Sequence, residues 1–139
     1  MKVHQQSIEV TASGSGLFDV TPEVARIVSA AAIRTGTCHV FVQHTSASLV
    51  VQENADPAVL RDLARWLAAL APEDADAYEH RQEGPDDMPA HLRASVTRTS
   101  ETLPVREGGL ALGTWQALYV WEHRRARHRR TLVVTVMGV

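Results

Sequence analysis

The sequence predicts a single α+β domain with elements in the order ββα-ββ-αα-βββ, and three observations predict it. At 139 residues the chain fits one domain of ordinary size, here taken as residues 1–139, with little room for a second core. Two segments, opened by Thr21-Pro22 and Asp56-Pro57, carry apolar residues at helical spacing. The remaining apolar runs are short, rich in β-branched residues and bounded by turn residues, as strands are.

Taken in order, residues 2–12 are expected to form a first strand, Gly14–Gly16 its turn, and Leu17–Val20 a second strand. Thr21 is expected to cap the first helix, with Pro22 preset for its first turn. Val24, Ile27, Val28 and Ala31 form its apolar face, and Gly36 offers a stop. Thr37–Thr45 and Leu49–Glu53 follow as a bent pair of strands. Asp56-Pro57 repeats the helix start, and Val59, Leu60, Leu63, Trp66, Leu67 and Leu70 share one face until Pro72 ends the helix. Residues 72–88 are acidic and lack periodicity, so they read as a long loop of functional character. A short helix is expected over Pro89–Thr97. The last third is β: Glu101–Val105, a turn at Glu107-Gly108-Gly109, one long strand from Leu110 to His123, a basic turn over 124–130, and a central strand over Thr131–Met137.

Composition excludes several classes. Hydrophobic residues make up 45% and charged residues 22%, as in soluble globular proteins. No apolar run reaches the roughly 20 residues of a membrane helix, and the N-terminus lacks the layout of a secretory signal. A formal charge of −2 argues against non-specific nucleic-acid binding. The single Cys38 cannot form an internal disulfide and fits a reducing cytoplasm. Walker, GxGxxG, GxSxG and CxxC motifs are all missing from the sequence.

The chain carries seven histidines. His4, His39 and His128 read as packing or surface residues, and His123 ends the long strand. His44, His80 and His91 lie at element ends or in the long loop, where binding residues concentrate. Three imidazoles with an open fourth position describe a catalytic metal site. The H-x10-H spacing is not the i,i+4 spacing of two ligands on one helix face, so the spacing alone favours structural histidines. Asp86 and Asp87 either orient a histidine or cap the helix, the cap being the simpler duty for at least one. Asp56 is expected to cap the second helix. Glu53 and Asn54 have no such duty, and parity along the strand puts Asn54 on the side of His44.

On the long strand the same parity separates Trp115, Tyr119, Trp121 and His123, a packed or subunit-interface face, from Gln116, Leu118, Val120 and Glu122. The turn 124-RRARHRR-130 is either a solvated hairpin tip or an arginine clamp for phosphate.

Three stretches, HTSASLVVQENADPAVLRDL, YEHRQEGPDDMPAHLRAS and LALGTWQALYVWEHR, closely resemble the YjbQ-like family, also named the secondary thiamine-phosphate synthase enzyme family. The resemblance spans nearly the whole chain. It implies a mixed β-sandwich with flanking helices, assembly as a homotrimer, and a weak thiamine-phosphate synthase activity. The family's motifs fall on His44–Ala47, on Glu53 and Asn54, on Tyr78 and His80, on Gly84–His91, on Gly113–Gln116, and on Glu122 and His123. The turn departs from the family by carrying arginine in place of glycine.

With that resemblance, His44, His80 and His91 are expected as metal ligands and His44, His91, Asn54 and Glu122 as catalytic groups. Thr45, Ser46, Gln116 and Arg130 are expected to bind a phosphorylated small molecule. A zinc-like divalent ion suits the histidines, while magnesium could accompany a diphosphate substrate. Two other functions fit the same residues: a non-catalytic module for a metal or small anion, and a metal-dependent hydrolase of a phosphorylated small molecule.

Overall fold

A computed structural model describes residues 1–139. Its strands are β1 (Lys2–Ala12), β2 (Gly16–Asp19), β3 (Thr35–Val42), β4 (Ala47–Glu53), β5 (Ser100–Arg106), β6 (Gly109–Leu110), β7 (Gln116–Glu122) and β8 (His128–Gly138). Its helices are α1 (Thr21–Ala30), α2 (Pro57–Leu70) and α3 (Asp87–Ser95), with one 3₁₀ turn at Ala75–Ala77. The strands form two antiparallel sheets, one of five strands in the order β1-β8-β3-β5-β6 and one of three in the order β2-β7-β4. The predicted α+β class is what the structure has.

Alternation puts one face of each sheet inward. Cys38, Val40 and Val42 of β3 meet Leu132, Val134 and Val136 of β8, and Leu49, Leu118 and Val120 come from the other sheet. With Val24, Ile27 and Val28 of α1 they belong to one core cluster of 17 buried residues. As expected, β8 lies inside its sheet, between β1 and β3.

Several local expectations are corrected. Thr21 does not cap α1: its hydroxyl accepts the Leu118 N–H of β7 at 2.8 Å, while the Asp19 carboxylate takes the Thr21 N–H. Gly36 does not stop that helix, which ends at Ala30. It lies in β3 opposite Gly138, where a Cβ would come within 2.0 Å of the Met137 carbonyl oxygen, so only glycine allows the two strands to close. β3 and β4 are not a pair. They belong to different sheets, and residues 43–46 carry the chain from one to the other. The long strand is likewise two: β6 joins the five-stranded sheet and β7 the three-stranded one. Between them the Gln116 side chain accepts the Gly113 N–H at 2.8 Å.

Asp56 does cap α2, accepting the Ala58 N–H at 2.9 Å. Glu53 also has a duty, since its carboxylate accepts the Asp56 N–H. The apolar face of α2 is uncovered toward its C-terminal end: Leu67 is buried and Val59, Leu60 and Leu63 are half-buried, but Trp66 and Leu70 are 58% and 55% exposed. The third helix begins at Asp87, earlier than expected, and thereby shortens the acidic loop. β8 begins at His128, so Arg129 and Arg130 are strand residues rather than turn residues.

Candidate metal centre

Where the acidic loop enters α3, one loop residue and two helix residues converge. Asp87 and His91 stand four residues apart, which stacks them on one helix face. His80 reaches them from the loop. The Asp87 Oδ2 atom lies 2.6 Å from His80 Nε2 and 3.1 Å from His91 Nε2. The three donor atoms lie within 4.8 Å of one another. Asp87 is buried, whereas the His80 and His91 side chains are 46% and 31% exposed. The centre therefore has a closed acidic floor and an open rim.

The floor is held by Arg124, just past β7. Its Nη1 donates to Asp87 Oδ1 at 2.7 Å, its Nε and Nη2 donate to the Asp86 carboxylate, and Nη2 also donates to the Glu83 carbonyl. The Arg125 N–H donates to Asp86 as well. Burial pushes the Asp87 carboxyl upward, but the His80 hydrogen bond and the charges of His91 and Arg124 outweigh it and hold the carboxyl below its usual range. Asp86 shows the same balance, with Arg125 and Arg124 as the lowering partners. Neither aspartate caps α3 through its side chain. Asp87 instead touches both histidines, so orienting rather than capping is its duty.

Backbone partners engage different ring nitrogens of two neighbouring histidines. His91 Nδ1 lies 2.9 Å from the Thr45 carbonyl oxygen. A carbonyl only accepts, so Nδ1 carries a proton, and Nε2 is the nitrogen that faces Asp87. Nε2 and Oδ2 at 3.1 Å require a cation between or beside them, either a proton or a metal ion. In His44 the other nitrogen is engaged: Nε2 accepts the Thr131 N–H at 2.8 Å, which again leaves the proton on Nδ1. Burial, and then the charge of Arg130, lowers its pKa and keeps it neutral. With Nε2 of His44 occupied by the Thr131 N–H, the donor atoms that converge are those of His80, Asp87 and His91, and His44 lies outside that cluster.

His44 nevertheless stays beside the centre. It shares with Thr45, His91, Ser95 and Thr99 a cleft of about 320 Å³. On the other side, Tyr78, His80 and Arg81 line a smaller one of about 160 Å³. The largest cleft, about 450 Å³ among Glu9, Asp19 and Glu23, lies elsewhere and brings no set of ligating atoms together. Donor chemistry, not size, therefore locates the site.

The other expected residues divide. Asn54 and Gln116 sit at the far end of the β4–β7 ribbon, where Glu53 pairs with Gln116. His44 and Thr45 flank the opposite end, where Ala47 pairs with Glu122. At about 3.4 Å per residue the two ends are roughly 20 Å apart, so within one chain Asn54 and Gln116 are not at the centre. Glu122 and Arg130 engage each other: the guanidinium donates from Nε and Nη2 to both carboxylate oxygens, and Nη2 also donates to the Ser46 carbonyl and hydroxyl. All three residues are buried. Arg130 is thus not a free anion clamp, nor Glu122 a free base, and Ser46 is an acceptor for that pair. The place of Asp87 within the donor cluster, beyond orienting a histidine, and Arg124 as its support are not read from the sequence. The Asp-x3-His spacing of 87 and 91 is the signal that could have found the first.

The family model described as UPF0047 protein YjbQ-like matches residues 6–139. A UPF0047 protein of Synechocystis is 48% identical over 135 residues, covering 97% of this chain and 92% of its own. The UPF0047 protein YjbQ of Salmonella typhimurium is 40% identical, with 97% and 98% covered. Among solved structures, a conserved hypothetical protein of Thermus thermophilus superposes with a TM-score of 0.84 at 33% identity, covering 95% of this chain and 99% of that one. A YbjQ-like protein of unknown function from Sulfolobus solfataricus superposes with a TM-score of 0.86 at 26% identity, covering 99% of both chains.

Proposed function

The chain belongs to the UPF0047 YjbQ-like family, and we propose that it is a divalent-metal protein acting on a phosphorylated small molecule. His80, Asp87 and His91 are the ligands in this reading. One observation carries it: donor atoms of His80, Asp87 and His91 converge within 4.8 Å of one another, with His91 Nδ1 turned to the Thr45 carbonyl so that Nε2 is the nitrogen available to an ion. Two imidazoles and one carboxylate suit zinc or ferrous iron better than magnesium, which prefers oxygen ligands. A bound ion would supply Lewis-acid chemistry to a phosphoryl or carbonyl oxygen.

The chain's own residues supply orientation. His44 lines the same cleft as His91, and Arg81 lines the cleft on the His80 side, where it would meet a phosphate. Three protein donors with a half-exposed rim leave room for substrate, which favours turnover over storage. The thiamine-phosphate synthase reaction implied by the resemblance falls in this class. There the thiazole nitrogen attacks the pyrimidine methylene carbon, the carbon–oxygen bond breaks, and pyrophosphate leaves with the bonding electrons. Hydrolysis of a phosphorylated small molecule falls in the same class. The reading includes a cytoplasmic homotrimer, supported by Trp66, Leu70 and Trp115, which a single chain leaves 58%, 55% and 64% exposed.

Elemental analysis of untagged protein tests the centre, followed by assays of thiamine-phosphate formation and phosphomonoester hydrolysis with the loaded protein. About one transition-metal ion per chain, lost in Asp87→Asn and His91→Ala, is the expected result. No metal in the wild type removes the reading. Metal without turnover in either assay leaves the non-catalytic metal-binding module.

A further inference from the structure

A second polar cavity lies behind α3, away from the ligand face. It is bounded by Ala64 and Leu67 of α2, Arg93 of α3, Ser15 in the β1–β2 turn, and Trp121 and His123 at the end of β7, and has a volume of about 130 Å³. Arg93 is the feature that asks for an explanation. Its only side-chain hydrogen bond runs from Nη2 to the Ala71 carbonyl at 2.8 Å. Its Nε is buried with no acceptor, and no carboxylate forms an ion pair with it. Glu122, the one carboxylate lining the cavity, already has both oxygens on Arg130. The cavity wall thus carries a guanidinium without a counter-charge, a costly arrangement when it is partly desolvated.

His123 completes the wall. The ring is buried, and its Nε2 is 2.9 Å from the Ser48 hydroxyl, while Nδ1 has no protein partner among the hydrogen bonds. We propose that this cavity binds one small oxyanion, with Arg93 as the charge partner and His123 and Ser15 as flanking polar groups. Its volume equals about four liquid water molecules, which admits a carboxylate or inorganic phosphate and excludes a heteroaromatic ring with substituents. The argument is independent of the metal centre, since Arg93 and His91 lie on different faces of α3.

The test is calorimetric titration of inorganic phosphate, and separately acetate, into the full-length protein at constant ionic strength. The comparison set is Arg93→Gln, Ala64→Leu and His91→Ala. One saturable site is expected in the wild type for at least one of the two anions, unchanged in His91→Ala and weakened roughly tenfold or more in Arg93→Gln, as for loss of a charge-assisted contact. Because Arg93→Gln also releases the Ala71 carbonyl, Ala64→Leu provides the independent variant: it fills the cavity and keeps every charge, and it too should abolish the site. His123 ring nitrogen shifts that saturate with the anion are expected in the wild type, whatever the variants' folding. No saturable binding of either anion to the wild type overturns the proposal. So does binding equally tight in Arg93→Gln and Ala64→Leu, and so does binding lost in His91→Ala, which would place the anion at the metal centre.

Discussion

His44 and His91 line one cleft with different ring nitrogens held by the backbone, because Thr131 offers Nε2 of the first an N–H and Thr45 offers Nδ1 of the second a carbonyl. The His91 Nε2 atom is thereby left facing Asp87, whereas the His44 Nε2 atom is occupied. Replacing either with alanine should separate binding from chemistry. His91→Ala and Asp87→Asn should abolish metal content, whereas His44→Ala should keep it and lose activity. Elemental analysis beside the activity assay distinguishes these outcomes, and equal metal loss in His44→Ala would contradict the tautomer assignment.

Arg124 would act on an ion at the proposed centre through Asp87. Removing it as Arg124→Gln should leave about one ion per chain at saturation but weaken affinity by roughly 10–100-fold, the usual cost of losing a group that orients a ligand. Competition with a chelator of known affinity reads this directly. An unchanged affinity would make the Arg124 network purely structural.

Glu122 and Arg130 form a buried pair whose value depends on both members being present. Glu122→Gln leaves a buried guanidinium charge and should cost about 3–5 kcal/mol, while replacing both by methionine should recover most of the loss. Urea unfolding of the single and double variants measures the coupling. Additive losses would mean that the two side chains act separately.

The His123 ring is lowered to about 3, first by burial and then by the charges of Arg93 and Arg130. Its folded value therefore lies below the unfolded value of about 6.5, and the unfolded chain binds the proton more tightly. The stability this contributes is fully present above about pH 6.5 and is lost as the pH falls toward 3, at up to about 1.4 kcal/mol per pH unit. Unfolding free energies at several pH values should show a shallower acid slope for His123→Gln than for the wild type. Parallel slopes would show that the ring is already protonated in the fold.

Trp66 and Leu70 lie on the uncovered side of α2. The double substitution Trp66→Ser with Leu70→Glu should convert the proposed trimer to a 15 kDa species in sedimentation without unfolding it. A wild type that already sediments as one chain would remove the trimer.

What was legible in the sequence was local. The β1 and β8 strands and the capped start of α2 follow from patterns within a few residues of each other. Thr21 and Gly36 were misassigned because their partners, Leu118 and Gly138, are far along the chain, and long-range contacts override a local cap or stop signal. The same reason explains β3 and β4, which look like neighbours but pair with strands from the last third of the chain. At the site, His80 and His91 were found from their places in the loop and at the short helix. The role of His44 was not, since the N–H that sets its tautomer belongs to Thr131. Arg130 and Glu122 looked like a surface clamp and a cleft wall, because one sequence does not show that two distant charges are buried against each other.

The three residues of the proposed centre all come from the stretch between residues 80 and 91, not from opposite ends of the fold. An ion held there ties a short loop closed and does not bridge the two sheets. Its loss should therefore free the segment around residues 72–86 while the sheets stay intact, so that protease cuts gather in that loop when the ion is stripped and fade when it is restored.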